Sequence, residues 1–177
     1  MYHVVTYNGC FGFIKPWTAV RDGETFSQQF LTPSIIEGMR QKLGVSKILR
    51  HKLTYESMTM QQEVTQSRGW VIKQKEKMLL RKTAVLNRAM LLYPTLYLAF
   101  DTGAEALLAA EQHICLCRNE DLLLPQSEIL VMGEEEFTSL NGFELRFGEK
   151  EEAFLVGYNR YEGGKAMYGW LEVTDNP

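Results

Sequence analysis

Apolar residues recur at helical spacing in an early stretch of the chain. They are Ile35, Ile36, Met39 and Leu43. Ser34 is a favourable N-cap, and Glu37, three residues later, completes a capping box. The sequence therefore predicts a helix that begins at Ser34 and stops at Gly44. A second helix is predicted over residues 104–112, which are rich in alanine and leucine.

Extended segments account for most of the remaining chain. Apolar and β-branched runs predict strands at 2–7, 45–55, 70–81, 87–90, 93–100, 113–117, 128–132, 142–147, 154–158 and 166–173. Residues 57–69 are polar and predict a hairpin tip or a mobile loop, and residues 133–137 predict a turn. The order of strands and helices predicts an α+β fold with a ferredoxin-like core and additional C-terminal strands.

Basic residues alternate along two of these segments. In residues 49–55, Arg50 and Lys52 share one side of the strand, while the apolar residues and His51 take the other. In residues 70–81 the same alternation places four cations in one row, about 7 Å apart. They are Lys73, Lys75, Lys77 and Arg81. The economical interpretation is a two-stranded basic projection, inserted into the core over residues 47–82.

The net charge of -3 conceals a division between the two halves of the chain. Residues 1–90 carry 14 Lys and Arg against 6 Asp and Glu, whereas residues 91–177 carry 5 against 16. A basic first half indicates a surface for a polyanion, and an acidic second half faces solvent or a basic partner. The alternative is that the two halves neutralise each other within the fold.

The basic projection has the chemistry of a nucleic-acid interface. A regular row of Lys and Arg matches the repeating phosphates of a strand, and Trp17, Tyr55 and Trp70 offer stacking faces for unpaired bases. The alternative is a solvated hairpin whose lysines prevent its edges from pairing.

Length and cysteine content exclude several other classes of protein. A chain of 177 residues with 45% hydrophobic residues suits one domain, and no apolar run reaches the roughly 18 residues that span a bilayer. Cys10, Cys115 and Cys117 predict no disulfide framework, and with three dispersed histidines they predict no zinc site. We therefore expect one cytoplasmic domain over residues 1–177, with no metal and no cofactor.

Two short segments suggest enzymes. Asp101-Thr102-Gly103 follows an apolar run and looks like the active-site loop of retroviral-type aspartic proteases, in which two facing aspartates share a proton. The same residues between a strand and a helix also fit a helix N-cap with a tight turn. His113 suits a general base, or alternatively a core or capping residue.

A family motif runs through most of the chain in order. The matching residues are Gly12, Phe13, Lys15 and Pro16, then Thr32, Pro33, Ser34, Gly38 and Leu43, and later Gly133 with Glu136 and Phe137. Residues 81–97 and 113–119 match strands of the same family. The chain in this respect resembles the CRISPR-associated RAMP superfamily, and specifically the fifth Cas family, the subunit that caps the 5′ handle of the guide RNA (crRNA) in type I Cascade-like complexes.

The resemblance implies an RNA-recognition-type, ferredoxin-like fold whose protruding thumb corresponds to residues 47–82. It implies crRNA, backbone RAMP subunits and a large subunit as partners, with target DNA as a further ligand. One branch, that of type I-C, cleaves precursor crRNA without metal through a Tyr, Lys and His set. Here those positions hold Gln28, Gln112 and His113. Glutamine is neither a base nor a cation, so we expect a non-catalytic subunit, with a metal-independent endoribonuclease as the alternative.

The expected RNA surface combines the projection with the loop that precedes the first helix. The free amides at the start of that helix favour phosphate, although a capped helix needs no ligand. The full set of expected RNA-binding residues is Lys15, Trp17, Arg21, Gln28, Ser34, Arg50, Lys52, Trp70, Lys73, Lys75, Lys77, Arg81 and Lys82.

Overall fold

The structure is a computed structural model that describes residues 1–16, 23–159 and 162–175, with the backbone alone at 65–69 and 82. The helices are α1 Pro33–Leu43, α2 Gly103–Ala110 and α3 Glu134–Ser139. The strands are β1 Tyr2–Asn8, β2 Phe11–Gly12, β3 Glu24–Phe26, β4 Arg50–Thr54, β5 Ser57–Lys73, β6 Met78–Leu92, β7 Thr95–Phe100, β8 Ile114–Cys115, β9 Leu122–Met132, β10 Gly142–Phe147, β11 Phe154–Asn159 and β12 Lys165–Thr174. Residues 17–22, which include the expected site residues Trp17 and Arg21, lie outside the described residues.

An eight-stranded sheet forms the body of the structure. Its strand order is β11-β12-β10-β4-β7-β1-β9-β8, and the pairs within it are antiparallel. α1 connects β1 to β4, and α2 connects β7 to β9. The described chain is therefore an α+β fold dominated by antiparallel sheet, as the order of the predicted elements indicated.

α1 and α2 cover one face of this sheet and enclose the main core. Val5 pairs with Leu98 and Tyr7 pairs with Leu96, so these side chains share that face. They pack with Met39 of α1, and the cluster also contains buried residues of α2. The hydroxyl of buried Tyr7 donates a hydrogen bond to the carbonyl of Ala109 at 2.7 Å, which ties β1 to α2.

The N-cap of the first helix lies two residues before the one that the sequence predicts. Thr32, not Ser34, is the N-cap, and its Oγ1 accepts a hydrogen bond from the Ile35 amide at 3.4 Å. Pro33 then occupies the first turn, where its missing N–H leaves no bond unmade. The predicted stop is confirmed, because Gly44 ends the helix with a φ of 68°, a conformation that favours glycine.

α3 covers the opposite face of the sheet. Phe137 is fully buried with Val4 and Ala99, and its ring lies 5.9 Å from that of Tyr2 at an interplanar angle of 84°. The segment that the sequence predicted as a turn at 133–137 is therefore the first part of a helix, because Gly133 extends into α3 as its N-cap.

A long hairpin projects from the body. β5 and β6 pair from Ser57 with Leu92 to Lys73 with Met78, and β2 and β3 add to β6 only near its root, between Asn87 and Leu92. The remaining part of β6 extends about 30 Å at roughly 3.3 Å per residue. The hairpin spans residues 57–92 rather than 47–82, because β4 belongs to the large sheet and the polar segment 57–69 is strand.

Among the described residues, no helix combines the length and the apolar character that crossing a membrane requires.

Candidate nucleic-acid interface

The tip of the hairpin concentrates positive charge. β5 ends at Lys73 and β6 begins at Met78, so residues 74–77 form the turn between them. We call the basic residues at this end the tip cations. They are Lys73, Lys75, Lys77 and Arg81, and all are exposed. They surround a turn instead of forming the single row that the sequence predicted, because the alternation of residues 70–81 is interrupted by the change of strand.

Large apolar side chains stand beside these charges. Trp70 pairs with Arg81 and Ile72 pairs with Leu79, so the four share one face of the hairpin end. Trp70 is 62% exposed, Ile72 67% and Leu79 60%. Exposed rings and aliphatic groups next to cations suit a polymer that has both phosphates and unpaired bases.

The ion pair of Lys73 with Glu76 at the hairpin tip is weak enough to be exchanged. Lys73 Nζ lies 3.4 Å from Glu76 Oε1, and both side chains are about half exposed. The guanidinium of Arg81 lies 5.7 Å from the ring centre of Trp70, also at the surface. Exposed ion pairs contribute about 0–1 kcal/mol, so a phosphate can replace Glu76 as a partner of Lys73 at little cost. The side chain of Lys82 is not among those described.

Two further expected site residues, Lys15 and Gln28, lie near the root of the hairpin, where the Ser27 amide donates to the carbonyl of Ala89 on β6 at 2.9 Å. The Gln28 amide donates to the Ile14 carbonyl at 2.9 Å, which places exposed Lys15 beside the segment that leads to α1. Ser34 is exposed in the first turn of α1. The structure therefore brings Lys15 and Gln28 together near the hairpin root and the tip cations into another region, and no described contact joins Ser34 to either group.

Arg50 and Lys52 are the clear departures from the sequence prediction. Arg50 is 4% exposed and Lys52 is 1% exposed, because α3 and β10 cover the side of β4 that was expected to face solvent. A buried side chain cannot grip a phosphate from solution, so neither residue belongs to a surface interface.

The partners of these two buried cations come from the acidic second half of the chain. Arg50 donates two hydrogen bonds to the carboxylate of Glu144, each of 2.7 Å, and Glu144 is 1% exposed. Lys52 Nζ donates to the carbonyls of Thr138 at 2.8 Å and Leu140 at 2.6 Å, and burial lowers the pKa of Lys52. The two halves of the chain therefore neutralise each other at this place, whereas the hairpin tip keeps its charge.

His51 lies between these cations on the opposite side of β4, in the core. It is 4% exposed, its ring stacks on Phe147 at 6.1 Å, and its Nε2 has no hydrogen-bond partner among the described residues. Burial first, and then the charges of Arg50 and Arg146, lower the pKa of His51 from 6.5 to about 3. His51 is therefore neutral in the folded protein at ordinary pH, as a core residue.

His51 makes the stability of the protein depend on pH. Between pH 6.5 and about 3 the unfolded chain binds a proton at His51 that the folded chain does not, so the free energy of unfolding falls as the pH falls. We expect this loss at pH 5 to be about 2 kcal/mol smaller in His51→Leu than in the wild type. Urea unfolding of both proteins at pH 5 and pH 8 measures it. Equal losses in the two proteins would contradict the assignment.

Two arginines at the hairpin root were not among the predicted site residues. The guanidinium groups of Arg88 and Arg118 lie 5.2 and 5.8 Å from the ring centre of buried Phe13. Arg88 pairs with Glu63, and Arg118 bonds to the fully buried Asp121 at 2.7 Å. The sequence contains both the cations and the acids of these pairs. However, the acid that pairs with Arg88 is distant in sequence, and the acid that pairs with Arg118 lies in an irregular loop.

Side-chain packing accounts for the glycine at position 12, near the root of the hairpin. A Cβ on Gly12 would lie 2.5 Å from Leu116 Cδ1, which is closer than real side chains approach. The family match at Gly12 therefore needs no ligand to explain it.

The segments that suggested enzymes have ordinary structural positions. Thr102 is the N-cap of α2 and its Oγ1 accepts from the Glu105 amide at 3.3 Å, so Asp101-Thr102-Gly103 fits the capping interpretation. His113 is exposed just before β8. Among the described residues, no three His, Cys, Asp or Glu side chains are grouped closely enough to hold a metal ion.

Among known proteins, this chain is similar to a solved structure in its overall fold. No family model matches the chain, and no curated protein matches it. Among solved structures, a chain from one described as a "CRISPR RNA-guided surveillance complex" superposes with a TM-score of 0.52. The two chains are 11% identical, and the match covers 100% of this chain and 91% of the other. At this identity the match shows that the two chains share an overall fold.

Proposed function

We propose that this protein is a non-catalytic crRNA-binding subunit of a CRISPR surveillance complex of the Cascade type, acting in the cytoplasm. In this proposal it belongs to the fifth Cas family of the RAMP superfamily and holds the 5′ handle of the guide RNA. Its neighbours would be backbone RAMP subunits and a large subunit, with target DNA as a further ligand.

The topology supports this proposal. Four strands of the large sheet, together with α1 and α2, form its central part. Along the chain their order is β1, α1, β4, β7, α2, β9, and across the sheet it is β9-β1-β7-β4. This order supports the ferredoxin-like, RNA-recognition-type core of the proposal, which has the same succession of strands and helices. The long hairpin is inserted between β4 and β7, where the resemblance places a thumb. The shared fold with a chain of an RNA-guided complex agrees with both features.

The observation that carries the proposal is the chemistry of the hairpin tip. The four tip cations are exposed at one end of the hairpin, where Lys73 pairs with Glu76 and Arg81 lies over the exposed ring of Trp70. The body of the protein gives no comparable group of exposed cations among the described residues, since Arg50 and Lys52 are internal. A single strand of RNA lying along the hairpin would meet charge and stacking surface together.

The two glutamines that replace the branch's catalytic residues have backbone partners. The Gln28 side-chain amide donates to the Phe30 carbonyl at 2.9 Å, and that of Gln112 donates to the Leu43 carbonyl at 3.3 Å. Both therefore stabilise local structure, which supports binding without cleavage.

Incubation with labelled repeat RNA in EDTA tests the proposal. Retention of intact RNA is the expected result. Cleavage that disappears in His113→Ala would instead establish the endoribonuclease, and the absence of any affinity for RNA would refute a nucleic-acid function altogether.

Binding of RNA by the wild-type protein is expected to depend steeply on salt. If the four tip cations each neutralise one phosphate of a single strand, the slope of log K against log salt is about -3. Affinity should then fall roughly 50-fold between 50 and 200 mM salt. Fluorescence anisotropy with labelled single-stranded RNA measures this slope. A slope near zero would show that phosphates are not the ligand.

A further inference from the structure

One face of the long hairpin carries large apolar side chains that the body leaves uncovered. On β6, every second residue from Leu79 to Ala89 points to this face, and the bulge before Trp70 lies on β5. Residues of β5 and β3 that pair with these positions share the face. The exposed large apolar residues on it, here called the apolar hairpin face, are Phe26, Met60, Val64, Trp70, Ile72, Leu79 and Val85, each between 46% and 68% exposed.

The root of the same face is already part of the core. Leu91 is fully buried and pairs with Met58, which packs against the main core cluster. From Ala89 outward the hairpin leaves the body, and its large apolar residues on this face are exposed. The apolar hairpin face therefore extends a core surface into solvent.

The opposite face of the hairpin has a different character. Over the root half it carries Gln61, Glu63 and Arg88, and Glu63 pairs with Arg88. The large apolar residues exposed on it among those described, Val71 and Met78, lie near the tip. The hairpin is therefore amphipathic, and an exposed apolar face of this length marks a contact with another molecule.

The composition of the apolar hairpin face fits a protein surface better than it fits nucleotides. Bases stack on aromatic rings, and only Phe26 and Trp70 provide a ring here, whereas the other five members are not aromatic. Glu24 pairs with Asn87 on the same face, is exposed and would repel phosphate. The root half of the face is therefore suited to another apolar surface.

The area of the face matches what a dimer needs. Seven large side chains that are each about half to two-thirds exposed present on the order of 700 Å². Two copies that cover this face in each other would bury about 1,400 Å² in total, within the range of about 1,200–2,000 Å² for specific interfaces.

The apolar rows of the face are placed symmetrically about its middle. Position 84 is midway between Leu79 and Ala89 on β6. A two-fold axis there lays the outer row of one copy on the inner row of the other. The outer row is Ile72 with Leu79, and the inner row is Phe26, Ala89 and Met60. Apolar groups therefore meet apolar groups at both ends of the contact.

The charges on the face obey the same symmetry. The row next to the outer one contains Arg81, and the row next to the inner one contains Glu24 beside Asn87. Arg81 and Glu24 are both exposed. The same axis brings the cation of one copy over the acid of the other, and this occurs twice because the interface is isologous.

We propose that the apolar hairpin face binds the same face of a second copy of this chain, with the two hairpins antiparallel around a two-fold axis near position 84. The face shares Trp70 and Ile72 with the candidate nucleic-acid surface, so RNA and the second copy would compete. The dimer is therefore a form of the protein without RNA. This inference goes beyond the proposed function and does not depend on it.

Sedimentation equilibrium without RNA over about 1–200 µM protein tests the proposal. The expected interface lies at the lower end of the specific range, for which a micromolar dissociation constant is expected. The wild type should shift from monomer to dimer. Val64→Lys with Val85→Glu should remain monomeric, because it places charges in the middle of the face. These two residues pair across the strands, so the exchange keeps the net charge and sets opposite charges side by side.

The matched control makes the same exchange on the opposite face. Val71 pairs with Leu80 there, and Val71→Lys with Leu80→Glu should dimerise like the wild type. A wild type that stays monomeric at the highest concentration overturns the proposal and would mean that RNA or a different protein covers the face. A control that loses the dimer equally overturns it as well. Neither result bears on RNA binding, which is measured separately.

Cross-linking tests the position of the axis. In a protein whose Cys10, Cys115 and Cys117 are replaced by serine, Thr83→Cys places a thiol at an exposed position of the face beside the axis. A short bismaleimide should join two copies of this variant efficiently, because the two thiols are close. Ala84→Cys points to the opposite face and should give several-fold less cross-linked dimer. Equal yields from the two variants would contradict the face-to-face arrangement.

Discussion

Alanine at Lys73, Lys75 and Lys77 is expected to weaken RNA binding by roughly 100-fold at 0.1 M salt, because each phosphate contact to a single strand contributes about 0.7 to the slope of log K against log salt. The slope itself should fall by about 2. The three side chains are exposed at the hairpin tip, so their removal should leave the free energy of unfolding nearly unchanged. Fluorescence anisotropy across a salt series measures both effects.

The matched control removes the same charge from elsewhere. Lys42, Lys47 and Lys150 are exposed lysines on the body of the protein. Their triple alanine variant carries the same net charge as the tip variant, so it separates local contact from general electrostatic attraction. We expect it to lose only a few-fold in affinity, and equal losses in the two variants would show that the tip is not the binding surface.

Arg50→Ala is expected to lower the free energy of unfolding by about 3–5 kcal/mol, because it leaves the carboxylate of Glu144 buried without its principal partner. At 2–4 °C per kcal/mol for a chain of this size, the melting temperature should fall by roughly 10 °C. Calorimetry and urea unfolding measure the change. The effect is on stability, so purified, folded Arg50→Ala should bind RNA as the wild type does.

Two comparisons sharpen this prediction. Arg40→Ala removes the partially exposed Arg40–Glu37 pair on α1 and should cost about 1 kcal/mol or less. Combining Arg50→Met with Glu144→Leu removes both buried charges and should recover part of the loss, since no carboxylate is then stranded. A cost for Arg50→Ala no greater than that for Arg40→Ala would mean that Arg50 is not part of the interior.

The sequence predicted those elements whose signal is local. The apolar face of α1 and its end at Gly44 depend on residues within three turns of one another, and the strands near the core carry continuous apolar runs. Residues 57–64 gave no such signal, because exposed side chains occur on both faces of this part of the hairpin and little burial imposes an alternation there. Hydrogen bonding to β6, which lies farther along the chain, makes this segment a strand.

The candidate site, too, could be predicted from the sequence only where its signal is local. Charge composition located the basic hairpin, although the turn at 74–77 contains neither glycine nor proline to mark it, and Lys77 adopts a φ of 50°. Arg50 and Lys52 were misplaced because their partners are 86 or more residues away. Alternation along a strand shows that two sides differ, but it does not show which side a distant helix will cover.

The position of α3 restricts where bases can be read. In a sheet with helices on one side, the other broad surface is available for nucleotides to lie flat across the strands. Phe137 closes the centre of that surface here, and the cation of Arg50 lies beneath it, 5.0 Å from the ring centre. Under the proposed function, nucleotides would lie at the periphery of the sheet. An oligonucleotide is therefore expected to protect the hairpin from hydrogen exchange and to leave exchange in β1 and β7 unchanged.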